Sequence, residues 1–159
     1  MPKNLDELCR KTLDADYVTG AGGGSIYGWI RNWMGVENLS IALIEDPEWV
    51  EEMMEHVTRL MLAGYAHLAG KCRLDISWWW EDMCYKSGPL LSPAMFKKLM
   101  VPRYRRVTDF LRRECGCKWH QLDCDGNIHA LVPLWYEGGI NVMFPIESAH
   151  TDVFRIWKE

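Results

Sequence analysis

Two acidic clusters stand at the ends of apolar runs. Glu81 and Asp82 follow Leu74–Trp80, and Asp123 and Asp125 follow Trp119–Leu122. Each run has the length and apolar, aromatic content of a strand. A third run, Ile140–Ile146, ends at Glu147. In α/β folds, ligands bind at the carboxyl ends of parallel strands. Glu81, Asp82, Asp123, Asp125 and Glu147 are therefore expected to gather at one mouth. Several carboxylates at close range cannot all ionise cheaply, so at least one should have a raised pKa and be poised as a general acid or base. Glu81, Asp82, Asp123 and Asp125 are the candidate catalytic residues. The bland alternative is that acids after a strand only solvate a turn.

Candidate substrate contacts lie nearby in the sequence. Arg31 is the only cation in the aromatic stretch Ile26–Met34. It can meet a carboxylate substrate with two parallel hydrogen bonds, or pair with a structural acid. Tyr27, Trp29 and Trp80 can wall a pocket, and an aromatic cage suits a methylated ammonium. Trp78, Trp79 and Trp80 are consecutive, and side chains on a strand alternate, so they must face different surroundings. Asn127 and Glu147 complete the substrate-binding candidates, although Asn127 is also placed to cap a helix through Leu131, Val132 and Trp135 that stops at Gly138-Gly139. The run Gly20-Ala21-Gly22-Gly23-Gly24-Ser25 reads as a glycine-rich turn after a strand begun at Tyr17–Thr19. Such a turn can cradle phosphate, but it lacks the Lys-Ser/Thr of a P-loop and a clean GxGxxG with its later acid. A close backbone approach is the favoured reading.

The elements that must position these residues alternate. Leu5–Leu13 is a short helical pattern. Asp46-Pro47 and Ser92-Pro93 each read as a cap followed by proline at the first helical position. Val50, Met54, Val57 and Met61 follow helical spacing after the first, and Phe96, Leu99, Val107 and Leu111 after the second, with a kink expected at Pro102. His56 and His67 sit among polar positions and are expected in solvent. Four strand-like segments alternating with helices imply an α/β fold with a mainly parallel sheet and crossover helices. Residues 1–16 read as a helical lead-in and 17–159 as the domain. The tail after Glu147 looks like a helix just starting, which favours part of a (β/α)8 barrel over a complete four-stranded domain.

Composition narrows the function classes. With 159 residues and a net charge of −4, the chain has no basic run or zinc-finger spacing to suggest nucleic acid. No apolar run approaches the ~20 residues that span a bilayer, and no apolar signal core opens the chain, so a cytoplasmic location is expected. The six cysteines include no CxxC pair and are read as reduced thiols.

Longer motifs carry a resemblance. Trp78–Cys115, with its GPLLSP–MF–P–Y pattern, and Leu122–Asp152, with its DGNI–L–P–EGGIN–PIE pattern, resemble the uroporphyrinogen decarboxylase superfamily, as does Gly24–Val57 upstream. The resemblance implies a (β/α)8 barrel, with this chain similar to its middle. It also implies one of two chemistries: decarboxylation of tetrapyrrole side chains, or methyl transfer between corrinoid proteins, methylated compounds and thiols. A small-molecule substrate of either class is expected. A corrinoid or a metal ion is the cofactor this resemblance allows, and a corrinoid protein or a second copy of the chain is the partner. The methyltransferases hold zinc with a His-x-Cys pair, whose places here are taken by Asp123 and Asp125. Carboxylates suit harder ions than a thiolate-activating zinc. Three alternatives stand beside the enzyme reading: a half-barrel that pairs with another copy, one that pairs with another chain, or a corrinoid- or tetrapyrrole-binding module without turnover.

Overall fold

The computed structural model describes residues 2–158. In chain order the elements are α1 (Leu5–Leu13), β1 (Gly20–Gly24), α2 (Tyr27–Met34), α3 (Val36–Glu45), α4 (Pro47–Ala66), β2 (Ile76–Trp80), β3 (Cys84–Tyr85), β4 (Gly88–Pro89), α5 (Pro93–Leu99), α6 (Val101–Cys115), β5 (Trp119–Asp123), α7 (Val132–Glu137), β6 (Val142–Met143) and α8 (Val153–Lys158). β1, β2, β5 and β6 form one parallel sheet in that order, with helices in every crossover. β3 and β4 make a small antiparallel hairpin beyond β2. This is the expected α/β architecture: successive units of a (β/α)8 barrel, opened at both sheet edges.

Glycine makes the first strand fit. The glycine run was expected as a turn after a strand at Tyr17–Thr19, yet the strand is the run itself. Tryptophans press on it from both faces. A Cβ on Gly20 would lie 2.6 Å from the Trp78 ring, and one on Gly23 would lie 2.6 Å from the Trp79 indole. Packing overrides the poor strand propensity of glycine. Thr19 anchors the strand's start, its N–H donating to Asp75 Oδ2 at 2.9 Å and its hydroxyl to the Arg73 carbonyl at 2.8 Å.

The helices follow their caps. Asp46 accepts the Trp49 N–H at 3.1 Å, and Ser92 accepts the Met95 N–H at 3.1 Å. The helical stretch after Ser92 breaks at Met100, between α5 and α6, with Pro102 in the first turn of α6. Arg103, buried on α6, reaches Glu51 at 3.3 Å and Glu55 at 3.4 Å and so ties α6 to α4. His56 and His67 are exposed.

The two faces of the sheet differ. Ser77, Trp79, His120 and Leu122 are buried beneath the helices. Trp79 packs on Tyr104 with ring centroids 5.4 Å apart, and Phe96 meets Trp135 edge-on at 5.6 Å; each such pair contributes roughly 0.5–1.5 kcal/mol beyond area burial. The opposite face, the inside of the barrel, leaves Trp78 44% and Trp119 53% exposed. α1 packs against the segment entering β2: Thr12 Oγ1 accepts the Arg73 N–H at 3.0 Å, and Cys9 is buried. All six cysteines are free thiols. Among the described residues, no helix is long and apolar enough to cross a membrane.

Candidate active site at the carboxyl ends of the strands

The carboxyl ends of β2 and β5 lie side by side. Trp80 pairs with Asp123 in the ladder, and the Glu81 N–H donates to the Asp123 carbonyl at 3.0 Å. The chain then turns sharply. Asp82 has φ 43°, and is the one described non-glycine residue in the left-handed region. A short polar side chain tolerates that conformation best, and such strain tends to collect at functional sites. The turn sends Glu81 and Asp82 to opposite sides.

Glu81 departs from the expected mouth. It is fully buried on the helix side. Its carboxylate accepts from Ser25 Oγ at 2.8 Å, from the N–H groups of Ile26, Tyr27 and Gly28 at 2.8–2.9 Å, and from the Tyr104 hydroxyl. It thus fills the anion seat that the start of α2 offers, the place where a phosphate reading of the glycine run would have put its ligand. Burial pushes its pKa up, only partly offset by the hydrogen bonds from Ile26, Tyr104, Gly28 and Ser25. Sequence reasoning missed Ser25 and Tyr104, the residues that hold it; no spacing signal links either of them to Glu81.

Asp82, Asp123 and Asp125 do come together. Asp82 and Asp125 are exposed and Asp123 is half-buried. Burial raises the Asp123 pKa, and the charges of Asp82 and Asp125 raise it further. Like charges at short range resist a third ionisation. Arg31 answers the structural alternative: its guanidinium donates to the Asp82 carbonyl, lies 3.6 Å from the Asp82 carboxylate, and sits over the Trp80 ring at 6.0 Å.

The turn after β5 is pinned from two sides. Glu147 Oε2 accepts the Gly126 N–H at 2.7 Å, and Glu147 also faces His150 at 3.6 Å. Thr151 donates to the Gly126 carbonyl at 2.8 Å and accepts the Ile128 N–H at 3.1 Å. Gly126 has φ 85°, and a Cβ there would lie 2.8 Å from the carbonyls of Cys84 and Tyr85. Asn127 does not cap α7, which begins at Val132; it donates its N–H to the Tyr85 carbonyl and accepts the His129 N–H at 3.3 Å. The β3–β4 hairpin and the turn after β5 are thereby locked together beside the carboxylates.

The aromatic candidates divide. Trp29, Trp78 and Trp80 line a groove of about 540 Å³ over Gly22–Gly24, with Leu60 and Met61 of α4 on its other wall. Tyr27 is not among them. It is buried, its hydroxyl has no partner, and burial pushes its pKa up to about 12. Cys124 lies between Asp123 and Asp125 but is buried; contact with Cys84 and desolvation push its thiol far up, so it stays protonated. Among the described residues, no group of three or more His, Cys, Asp or Glu side chains is arranged to hold a metal ion. The residues present do not fit the zinc centre that the resemblance implies.

No protein-family model and no curated protein matches the chain. A solved structure does. A methyltransferase from Methanosarcina mazei superposes with a TM-score of 0.63 over 89% of this chain and 43% of its own, at 12% identity. The likeness is one of fold. The chain spans less than half the length of that protein.

Proposed function

We propose that the mouth formed by Asp82, Asp123 and Asp125 is an acid–base site for methyl transfer from a small neutral or cationic methylated compound. The carrying observation is the raised pKa of Asp123 between two flanking carboxylates at the ends of adjacent parallel strands. Burial and neighbouring like charge favour the protonated form of Asp123, and that form can give its proton to the leaving heteroatom as the methyl group departs. Asp82 and Asp125 hold that proton in place through their charge. The Trp80 face offers an apolar wall, and a methylated ammonium would add attraction to both the ring and the acids. A corrinoid, when bound, would supply the methyl-accepting centre. The fold likeness to a methyltransferase supports this chemistry over decarboxylation. So does charge: a polyanionic tetrapyrrole would meet three carboxylates, and the adjacent Arg31 guanidinium is already paired with Asp82.

The test is an anaerobic assay with cob(I)alamin and methylated amines, read as loss of the cob(I)alamin absorbance. Wild type is expected to turn over, and Asp123→Asn to lose about 10²–10⁴-fold in rate, the usual range for a general acid. No turnover in the wild type, equal rates in both proteins, or decarboxylation of uroporphyrinogen in its place would overturn the reading.

A further inference from the structure

We propose that two copies of this chain close a single eight-stranded barrel, β1 of each copy pairing in parallel with β6 of the other. The argument begins with the sheet. Among the described residues, β1 and β6 each have one partner strand, so both outer edges present unpaired backbone groups. An exposed edge is a template for another strand. Here both edges belong to one parallel sheet whose inner face leaves Trp78 and Trp119 exposed.

Strand number then selects the occupant. Eight strands give a barrel whose interior side chains just fill, and this sheet has four. A two-fold axis along the barrel axis uses the β1–β6 contact twice and leaves no edge over. The assembly closes at two copies and does not grow into a filament.

Exposed apolar surface lies where that contact would form. On the β1 side is the groove over Gly22–Gly24, walled by Trp29, Trp78 and Leu60, with Leu60 57% exposed. The strand there carries almost no side chains, so a neighbour can approach its backbone closely. On the β6 side Phe144 is 64% exposed, and α8 exposes Phe154 at 73% and Trp157 at 83%. Exposed aromatics on this scale mark an interaction surface. Closure would ring one mouth with two sets of Asp82, Asp123 and Asp125, but the proposal stands whether or not that mouth transfers methyl groups.

Light scattering on a sizing column, over about 1–100 µM protein, reads the outcome. A dimer of twice 18.5 kDa is expected. A monomer throughout, or open-ended aggregates, would overturn the proposal; a monomer would mean that something other than a second copy covers the edges. Two variants test the contact itself. Phe144→Lys and Trp157→Lys change side chains already exposed in one copy, so the fold should persist by circular dichroism, while dimer affinity should drop at least about tenfold. Ile44→Lys, on α3, which packs on α2 and α4, changes a side chain 81% exposed and should leave the dimer intact. Dimers unaffected by Phe144→Lys and Trp157→Lys, or broken by Ile44→Lys, would place the interface elsewhere and overturn it. Amide exchange at Gly20–Gly24 should slow as the dimer forms.

Discussion

The Tyr104 hydroxyl on α6 donates to the Glu81 carboxylate just beyond β2, and the contact joins the helix layer to the start of α2. A buried carboxylate with five donors organises its surroundings as a metal ion would. It fixes the angle at which the glycine strand passes into α2. It also holds Tyr104 where that ring packs on Trp79 and Phe96.

Glu81→Ala should therefore unfold much of the protein's stability. It strands three backbone N–H groups and two hydroxyls in the interior, and losing the acceptor of such a network costs roughly 3–5 kcal/mol. Glu81→Gln keeps the shape but replaces one acceptor oxygen with a donor, and should cost less. Urea unfolding of both variants checks the order. Equal midpoints for wild type and Glu81→Ala would refute the structural role.

The glycines of β1 make a sharper contrast. Gly23→Ala drives a methyl group into the Trp79 indole, which Tyr104 backs. Neither can yield freely, and overpacking of this kind costs typically about 1–3 kcal/mol. Gly22→Ala, one residue earlier, meets nothing within 4 Å. There the loss of chain entropy in the unfolded state should make the change neutral or stabilising by about 0.4–1 kcal/mol. Thermal midpoints that fall for Gly23→Ala and hold or rise for Gly22→Ala are expected.

His120 gives the fold an acid limit. Burial, with a smaller push from Arg112, lowers its pKa to about 4. Its Nδ1 lies 2.8 Å from Ser77 Oγ, and Nε2 is buried without a partner. Because the folded value lies below the unfolded value of about 6.5, its contribution is complete above pH 6.5. It is lost as pH falls toward 4, by up to about 1.4 kcal/mol per unit. Imidazole resonances should show His120 neutral down to near pH 4, and His120→Gln should flatten stability across that window.

Much of this architecture was legible in the chain. Asp46-Pro47 and Ser92-Pro93 announced their helices because a cap and a proline act within four residues. The strands at Ile76–Trp80 and Trp119–Asp123 declared themselves through aromatic content. What the sequence concealed was long-range. Nothing local shows that Gly20–Gly24 is a strand, because the reason lies in Trp78 and Trp79 some 55 residues later. Nothing local separates Glu81 from Asp82 either. Their opposite fates follow from the left-handed turn at Asp82 and from the donors waiting at Ser25–Gly28. Ile140–Ile146 read as a full strand, but only Val142–Met143 pair, opposite Gln121 and Leu122.

Asp123 links stability to chemistry. Its folded pKa is raised by burial and by Asp82 and Asp125, so its proton favours the fold. That contribution is complete below the unfolded value of about 3.9 and is lost as pH rises through the folded one. Once ionised, the Asp123 carboxylate therefore works against folding. Asp123→Asn should remove both the desolvated charge and the repulsion, and raise the melting temperature at pH 7. At pH 3 the same variant should melt with the wild type. Asp82→Asn and Asp125→Asn should each lower the Asp123 titration midpoint seen by carboxyl carbon resonances. A stabilised, catalytically silent Asp123→Asn is the signature of a residue held in an unfavourable state for its chemistry. A variant less stable than wild type at pH 7 would instead make Asp123 a structural acid.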